Sequence, residues 1–378
     1  MTILRTNAIS GVGTNGPVFD GSLEFNSQNY VILPKGTTGD RVGVGSTTGA
    51  LRYNTDSNKV ELYDGNQWVE VQSSRPDLNG GARGVFGGGF TGTSPTFTII
   101  NTIDYITISS TGDAIDFGDI ASGTRRNTGA CSSNTRGLWG GGNTPSNSNV
   151  IDFITISSTG NSADFGDLTL ARDLISSCSS STRGIWGGGY VSPVGPSSNI
   201  IDYVTIASAG NAADFGDLTS ARAYSGGCAS PTRGIFGGGQ PTQVNTTDFI
   251  TISTLGNSQD FGDLTIARGQ AAGCSSSTRG LFGGGQTPSN VNTIDYITIA
   301  TTGNAVKFGE LTRLVQGLTA CSSPTRGVFS GGLGPSPFPA INVIDYVTIQ
   351  NQGNAVDFGD LTQARAGVAG CSNAHGGL

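Results

Sequence analysis

The chain has 378 residues, of which 61 are glycine and only 12% are charged. That balance predicts many tight turns and much strand, and the regular recurrence of the apolar residues argues against disorder. The net charge of −7, with Lys35, Lys59 and Lys307 as the only lysines, speaks against a nucleic-acid surface, which needs clustered cations to displace counterions.

The opening MTILRTNAIS lacks the apolar core of a secretory signal, so work outside a cell would require another export route. No apolar run reaches the roughly 18 residues of a transmembrane helix, and no membrane insertion is expected. ALRYNTDSNKVELYDGNQWVEV (residues 50–71) reads as three short strands, joined by a loop at Thr55 to Asn58 and a tight turn at Asp64-Gly65-Asn66. SSRP (residues 73–76) marks a boundary between a small β-rich segment, 1–75, and the remainder, 76–378. So small and polar a segment can hardly bury a core of its own, and docking on a partner or on copies of itself is expected.

From Ala82 onward one pattern recurs, seen in full as CSSSTRGLFGGG from Cys274. Its arginines are Arg83, Arg136, Arg183, Arg233, Arg279 and Arg326, at intervals of 53, 47, 50, 46 and 47 residues. That period suits a propeller blade of four strands better than shorter solenoid repeats. In the fourth unit the strands read as YSGGCAS, RGIFGGG, TTDFITIS and QDFGDLT. Small residues in the first strand suit the crowded axis, and the glycine triplet suits close backbone approach at a bend. A phosphate cradle would need a following helix, and none is readable.

The first unit lacks a Cys-bearing first strand, whereas the last continues into AGVAGCSNAHGGL. In a closed ring that spare strand, Val368 to Ser372, completes the first blade, while an open array would leave it as an unpaired edge. The expected fold is therefore all-β: a six-bladed propeller over 76–378, closed by its C-terminal strand. The six cysteines, Cys131, Cys178, Cys228, Cys274, Cys321 and Cys371, fall one per unit at one offset. The repeat spacing keeps them too far apart to bridge, and they are expected to be small buried thiols.

Five further arginines stand six residues before the repeat cysteine: Arg125, Arg172, Arg222, Arg268 and Arg365, with Val315 in the remaining unit. They fall in turns on one face of the disc. One reading makes them a rosette that grips carboxylates or sulfates of a glycan or peptide. The other pairs them with the FGD acids Asp119, Asp167, Asp217, Asp263 and Asp360, whose number matches the demand. The TRG arginines are expected to pair within their own blade with Asp104, Asp152, Asp202, Asp248, Asp295 and Asp345. The loops between the second and third strands vary most, and Phe97, Tyr190 and Phe338 in them are candidates for stacking on sugar rings. The only histidine is His375 and the acids are repeat-wide, so neither catalysis nor a metal or other cofactor is expected.

ARGQAAGCSSSTRGLFGGGQTPSNVNTIDYITIATTGNAVKFGEL resembles a Kelch-type repeat: an Arg, a small-residue strand, an aromatic-Gly-Gly, a Tyr-bearing strand and an outer aromatic. Here Phe117, Phe165, Phe215, Phe261, Phe308 and Phe358 stand where Kelch repeats usually carry Trp. The resemblance covers residues 82–378 and implies architecture rather than activity. Kelch-type copper oxidases use paired histidines, which this chain does not have.

ALRYNTDSNKVELYDGNQWVEV is similar to a hairpin motif of tailed-bacteriophage virion proteins, found in fibres and appendages beside the part that fixes them to the particle. SLEFNSQNYVILPKGTTGDR looks like the openings of marine cyanophage structural proteins. The resemblance implies a virion component of tail, neck or baseplate, assembled in the host cytoplasm and released by lysis. Its partners would be other virion proteins through residues 1–75, copies of itself on the particle, and a host cell-surface glycan or protein. A cellular Kelch-type interaction module is the alternative, and a propeller enzyme such as a glycosidase the third reading.

Overall fold

The computed structural model describes residues 33–41, 48–57, 59–71, 82–191 and 195–378. The opening stretch 1–32, the SSRP boundary, Asn58 and part of the third variable loop lie outside the described residues. The chain divides into two compact units, Met1–Arg75 and Pro76–Leu378. Among the described residues both are built of strands, with one 3-10 turn at Thr38–Asp40 and no α-helix.

In the first unit Lys35–Gly36, Leu51–Asn54, Lys59–Tyr63 and Trp68–Glu70 form one sheet in that order. The short first pairing is parallel and the other two are antiparallel. Its buried residues among those described are all polar: Arg52, Asn54 and Glu61. Glu61 is fully buried and is held by Arg41 and by the Asn54 amide at 2.8 Å. The Arg41 hydrogen bond is the main cause that lowers the Glu61 pKa. Among the described residues the unit is organised around a charge cluster, with no buried apolar residue.

The second unit holds six four-stranded antiparallel sheets in a propeller-like arrangement. Sheets two to five run Gly129–Ser132 to Ala163–Asp167, Ser176–Ser179 to Ala213–Asp217, Gly226–Ala229 to Gln259–Asp263, and Ala272–Ser275 to Val306–Val315. Sheet six runs Thr319–Ser322 to Val356–Asp360. Sheet one takes Arg83–Gly87, Thr102–Thr107 and Ile115–Asp119 from the start of the unit and Ala369–Ser372 from its end. The end strand pairs antiparallel with Arg83–Gly87, Ala369 opposite Gly87 and Cys371 opposite Val85. First strands touch in the order two, three, four, five, six, one, and one touches two again.

The apolar cores lie between neighbouring sheets, as the alternation of the third strand dictates. One such core joins Cys178, Ile185, Ile201 and Phe215 of sheet three to Phe236, Ile250 and Ile252 of sheet four. The FGD phenylalanines are buried, and each meets the third-strand aromatic of its own sheet edge-on, as Phe215 meets Tyr203 at 5.9 Å.

The repeated Cys and the glycine of TRG explain each other. A Cβ added at Gly184 would lie 2.5 Å from the Cys131 sulfur of the preceding sheet, and Gly234 stands likewise to Cys178. Each thiol fills the notch that the next sheet's glycine leaves. All six cysteines are free and buried. Burial raises their pKa values, to about 12 for Cys178, Cys274 and Cys371.

Candidate functional site

The structure gives the third-strand aspartates to the other arginine class. Arg125, Arg172, Arg222, Arg268 and Arg365 start in the turns between sheets, but their side chains run inward and are at most 1% exposed. Their partners are the third-strand aspartates, not the FGD acids. Arg125 pairs with Asp152, Arg172 with Asp202 at 2.7 Å, Arg222 with Asp248 at 2.9 Å, Arg268 with Asp295 at 3.0 Å and Arg365 with Asp104 at 2.5 Å. Burial lowers the pKa of each guanidinium and the aspartate opposes it. A planar fork that must reach both a carboxylate and several backbone carbonyls fits this interior position. An outward rosette for carboxylates or sulfates is thereby ruled out, because the donors face the interior of the sheets.

The unit without this arginine is not without the charge. Arg313, two residues before Val315, reaches Asp345 at 2.9 Å. Val315 is fully buried at the end of the long strand Val306–Val315.

The TRG arginines make no ion pair with those aspartates. Each lies over its own sheet's third-strand aromatic, as Arg183 does over Tyr203 at 4.9 Å from the ring centre. Each also donates to a carbonyl of the next sheet: Arg83 to Ile156 at 2.9 Å, Arg183 to Ile252 at 2.6 Å, and Arg326 back to Ile108 at 2.9 Å. The aromatic face holds the cation where no counter-ion is needed.

Where the chain leaves each turn, the residue two places beyond the buried arginine position is left-handed. These residues are Asn127 (φ 59°), Leu174 (56°), Tyr224 (59°), Gln270 (60°), Gly317 (61°) and Gly367 (61°). Their peptide groups hydrogen-bond head to tail. Leu174 donates to Asn127 at 2.9 Å, Tyr224 to Leu174 at 3.0 Å and Gln270 to Tyr224 at 2.8 Å. Gly317 donates to Gln270 at 3.1 Å, Gly367 to Gly317 at 3.1 Å, and Asn127 to Gly367 at 2.8 Å. The left-handed backbone costs a residue with a Cβ about 1–2 kcal/mol. Two units relieve it with glycine, while the other four keep side chains that differ.

Those side chains line a cavity of about 430 Å³, within the range of small-molecule sites. Tyr190 and Leu333, which directly follow the GGG and the SGG of their units, join them on its wall, as do Arg126, Asp173 and Gln316. Tyr190 and Tyr224 meet edge-on with ring centres 6.1 Å apart. Arg126 lies 5.5 Å from the ring centre of Phe90 and forms no ion pair among the described residues. Burial raises the pKa of Asp173, opposed by Asn127 and Arg126, and burial carries Tyr224 up to about 12. Arg126 Nε, Thr128 Oγ1, Ser225 Oγ and Gln316 Oε1 are buried atoms of the lining with no hydrogen-bond partner. They have no open surface, so they lie behind the wall of the cavity and not on it.

The opposite end of the passage between the first strands is occupied by the chain's own terminus. His375 Nε2 sits 2.9 Å from the Ser132 carbonyl and 3.2 Å from Ser179 Oγ. Burial lowers its pKa to about 4. A Cβ at Gly376 would lie 2.2 Å from the Ser276 carbonyl, so only glycine threads past the strand ends there.

Of the loop aromatics, Tyr190 reaches the cavity. Phe97 is only partly exposed and packs on Phe90 with ring centres 4.6 Å apart. Phe338 is also only partly exposed, in a loop that bridges to the first variable loop between Thr93 and Pro339. Arg126, Asn127, Asp173, Leu174, Tyr224, Gln270 and Gln316 escaped the sequence reading. The two positions after the repeating arginine differ from unit to unit, but so does the third (Thr128, Ile175, Ser225, Ala271, Leu318, Val368), so variation did not single them out. No protein-family model matches this chain, and no curated protein does either.

Proposed function

We propose that this chain is a virion appendage protein of a tailed bacteriophage. Residues 1–75 fix it to the particle, and residues 76–378 form a six-bladed, Kelch-like propeller, closed by its C-terminal strand, whose axial cavity takes a ligand on the host surface. The cyclic order of strand contacts and the head-to-tail ring of six peptide hydrogen bonds support the blade count and the closure. The first unit buries polar residues only among those described, which supports a role that depends on docking. Its likeness to phage appendage hairpins supports the particle as the dock.

The observation that carries recognition, rather than mere decoration, is the broken symmetry of the cavity. Positions in the sheets repeat nearly residue for residue, whereas the left-handed ring holds Asn, Leu, Tyr and Gln at a conformational cost that glycine would avoid. Scaffold needs alone would favour six alike.

The test is assembly. Phage particles produced with the full chain should carry it in stoichiometric amounts by mass spectrometry, and particles produced with residues 76–378 alone should lack it. Incorporation of the shortened chain, or absence of the full one, would overturn the appendage reading.

A further inference from the structure

Resting on the reading of the axial cavity as a binding site, we infer that it receives one neutral saccharide ring, the exposed end of a glycan. The wall offers two kinds of surface. Tyr190, Tyr224, Leu174 and Leu333 offer apolar faces, and Arg126, Asp173, Gln270 and Gln316 supply polar groups. A pyranose has the matching character, with C–H faces for aromatic rings and a rim of hydroxyls that each donate and accept.

The polar side chains of the lining sort the ligand classes. Arg126 can only donate, the Asp173 carboxylate can only accept, and the Gln270 and Gln316 amides can do either. A purely apolar ligand would displace water from all four side chains and return no hydrogen bond. A phosphate or sulfate would meet Arg126, but Asp173 stands on the same wall and cancels the attraction. An extended peptide needs a free strand edge to pair with, and the hexagon of peptide groups in this wall is already hydrogen-bonded within itself. The His375 tail across the far end leaves a pocket suited to a chain terminus, not a passage for a long polymer.

The experiment uses the full chain and saturation-transfer NMR with methyl glycosides of glucose, galactose, mannose, rhamnose and the two common N-acetylhexosamines. Glucuronate, sialic acid and a mixture of non-saccharide fragments complete the panel. At least one neutral glycoside should bind saturably, and Asp173→Asn should weaken it about ten- to hundred-fold, as loss of a hydrogen bond to a charged acceptor does. Tyr224→Phe, which keeps the ring, should weaken it less, with the melting temperature unchanged. Binding of an acidic sugar or a fragment alone, still sensitive to Asp173→Asn, would overturn the saccharide assignment and leave the cavity as a binding site. Absence of binding by every panel member, or binding indifferent to both substitutions, would overturn both.

Discussion

Removing one aspartate from the ring of buried pairs should show how much of the scaffold depends on them. Asp295 is fully buried and accepts from Arg268 at 3.0 Å, from the Thr265 hydroxyl at 2.6 Å and from the Thr265 amide at 3.2 Å. Asp295→Leu leaves the Arg268 guanidinium with the Thr293 and Phe282 carbonyls, each at 3.0 Å, and no counter-charge. Breaking such a pair costs about 3–5 kcal/mol. For a unit of about 300 residues, with about 2.1 cal/mol/K of unfolding entropy per residue, that corresponds to a melting point lower by about 5–8 °C. Arg268→Met should sit at the lower end, since Thr265 still holds the carboxylate. The double variant should recover most of the loss, because apolar replacement of a buried pair is often neutral, short of about 1–3 kcal/mol for the orphaned Thr265 donors. Calorimetry and urea denaturation of all four proteins give the cycle. A single-variant loss under about 1 kcal/mol, or strict additivity, would refute the claim that the pair is desolvated and coupled.

Three further outcomes follow from the same geometry. Phe215→Ala should cost about 3–5 kcal/mol in urea denaturation, because the ring is buried between two sheets, and a loss below about 1 kcal/mol would contradict that placement. His375 has a folded-state pKa near 4 against an ordinary value of 6.5, so the released tail binds the proton more tightly than the docked one. Tail docking should thus be at full strength above pH 6.5 and weaken as pH falls towards 4, read by hydrogen exchange of residues 373–378, and a ring titration at 6.5 by NMR would contradict it. The six thiols should resist an aromatic disulfide reagent in the native state and all react in denaturant, since burial keeps them protonated, and fast native labelling would refute their seating against the TRG glycines.

Much of the scaffold was legible because its signals are local. The TRG interval set the unit, the small residues around each cysteine located the first strand, and β-branched alternation located the third, so YSGGCAS and TTDFITIS fall on Gly226–Ala229 and Val244–Thr251. Which acid meets which arginine was not legible. Asp119 and Asp152 are equally acidic in sequence, and only the inward path of the Arg125 side chain, past the carbonyls of Gly141 and Val150, selects Asp152. The rescue by Arg313 escaped for a similar reason, because aligned positions were compared while the side chain arrives from two residues away. The cavity was hidden by conformation: nothing in the letters Leu174 or Tyr224 announces a positive φ, which residues with a Cβ seldom adopt. Variation between units was a readable trace, both beside the arginines and in the loop that carries Tyr190.

Circular closure is the claim on which the cavity, the arginine ring and the tail all depend. Hydrogen exchange measured by mass spectrometry on the full chain and on a chain ending at Gly367 tests it most directly. The account predicts slow exchange in both Gly84–Gly87 and Ala369–Ser372 of the full chain, and loss of protection at 84–87 once the last strand is removed. Fast exchange at 369–372 in the full chain, or protection at 84–87 that survives the truncation, would contradict it.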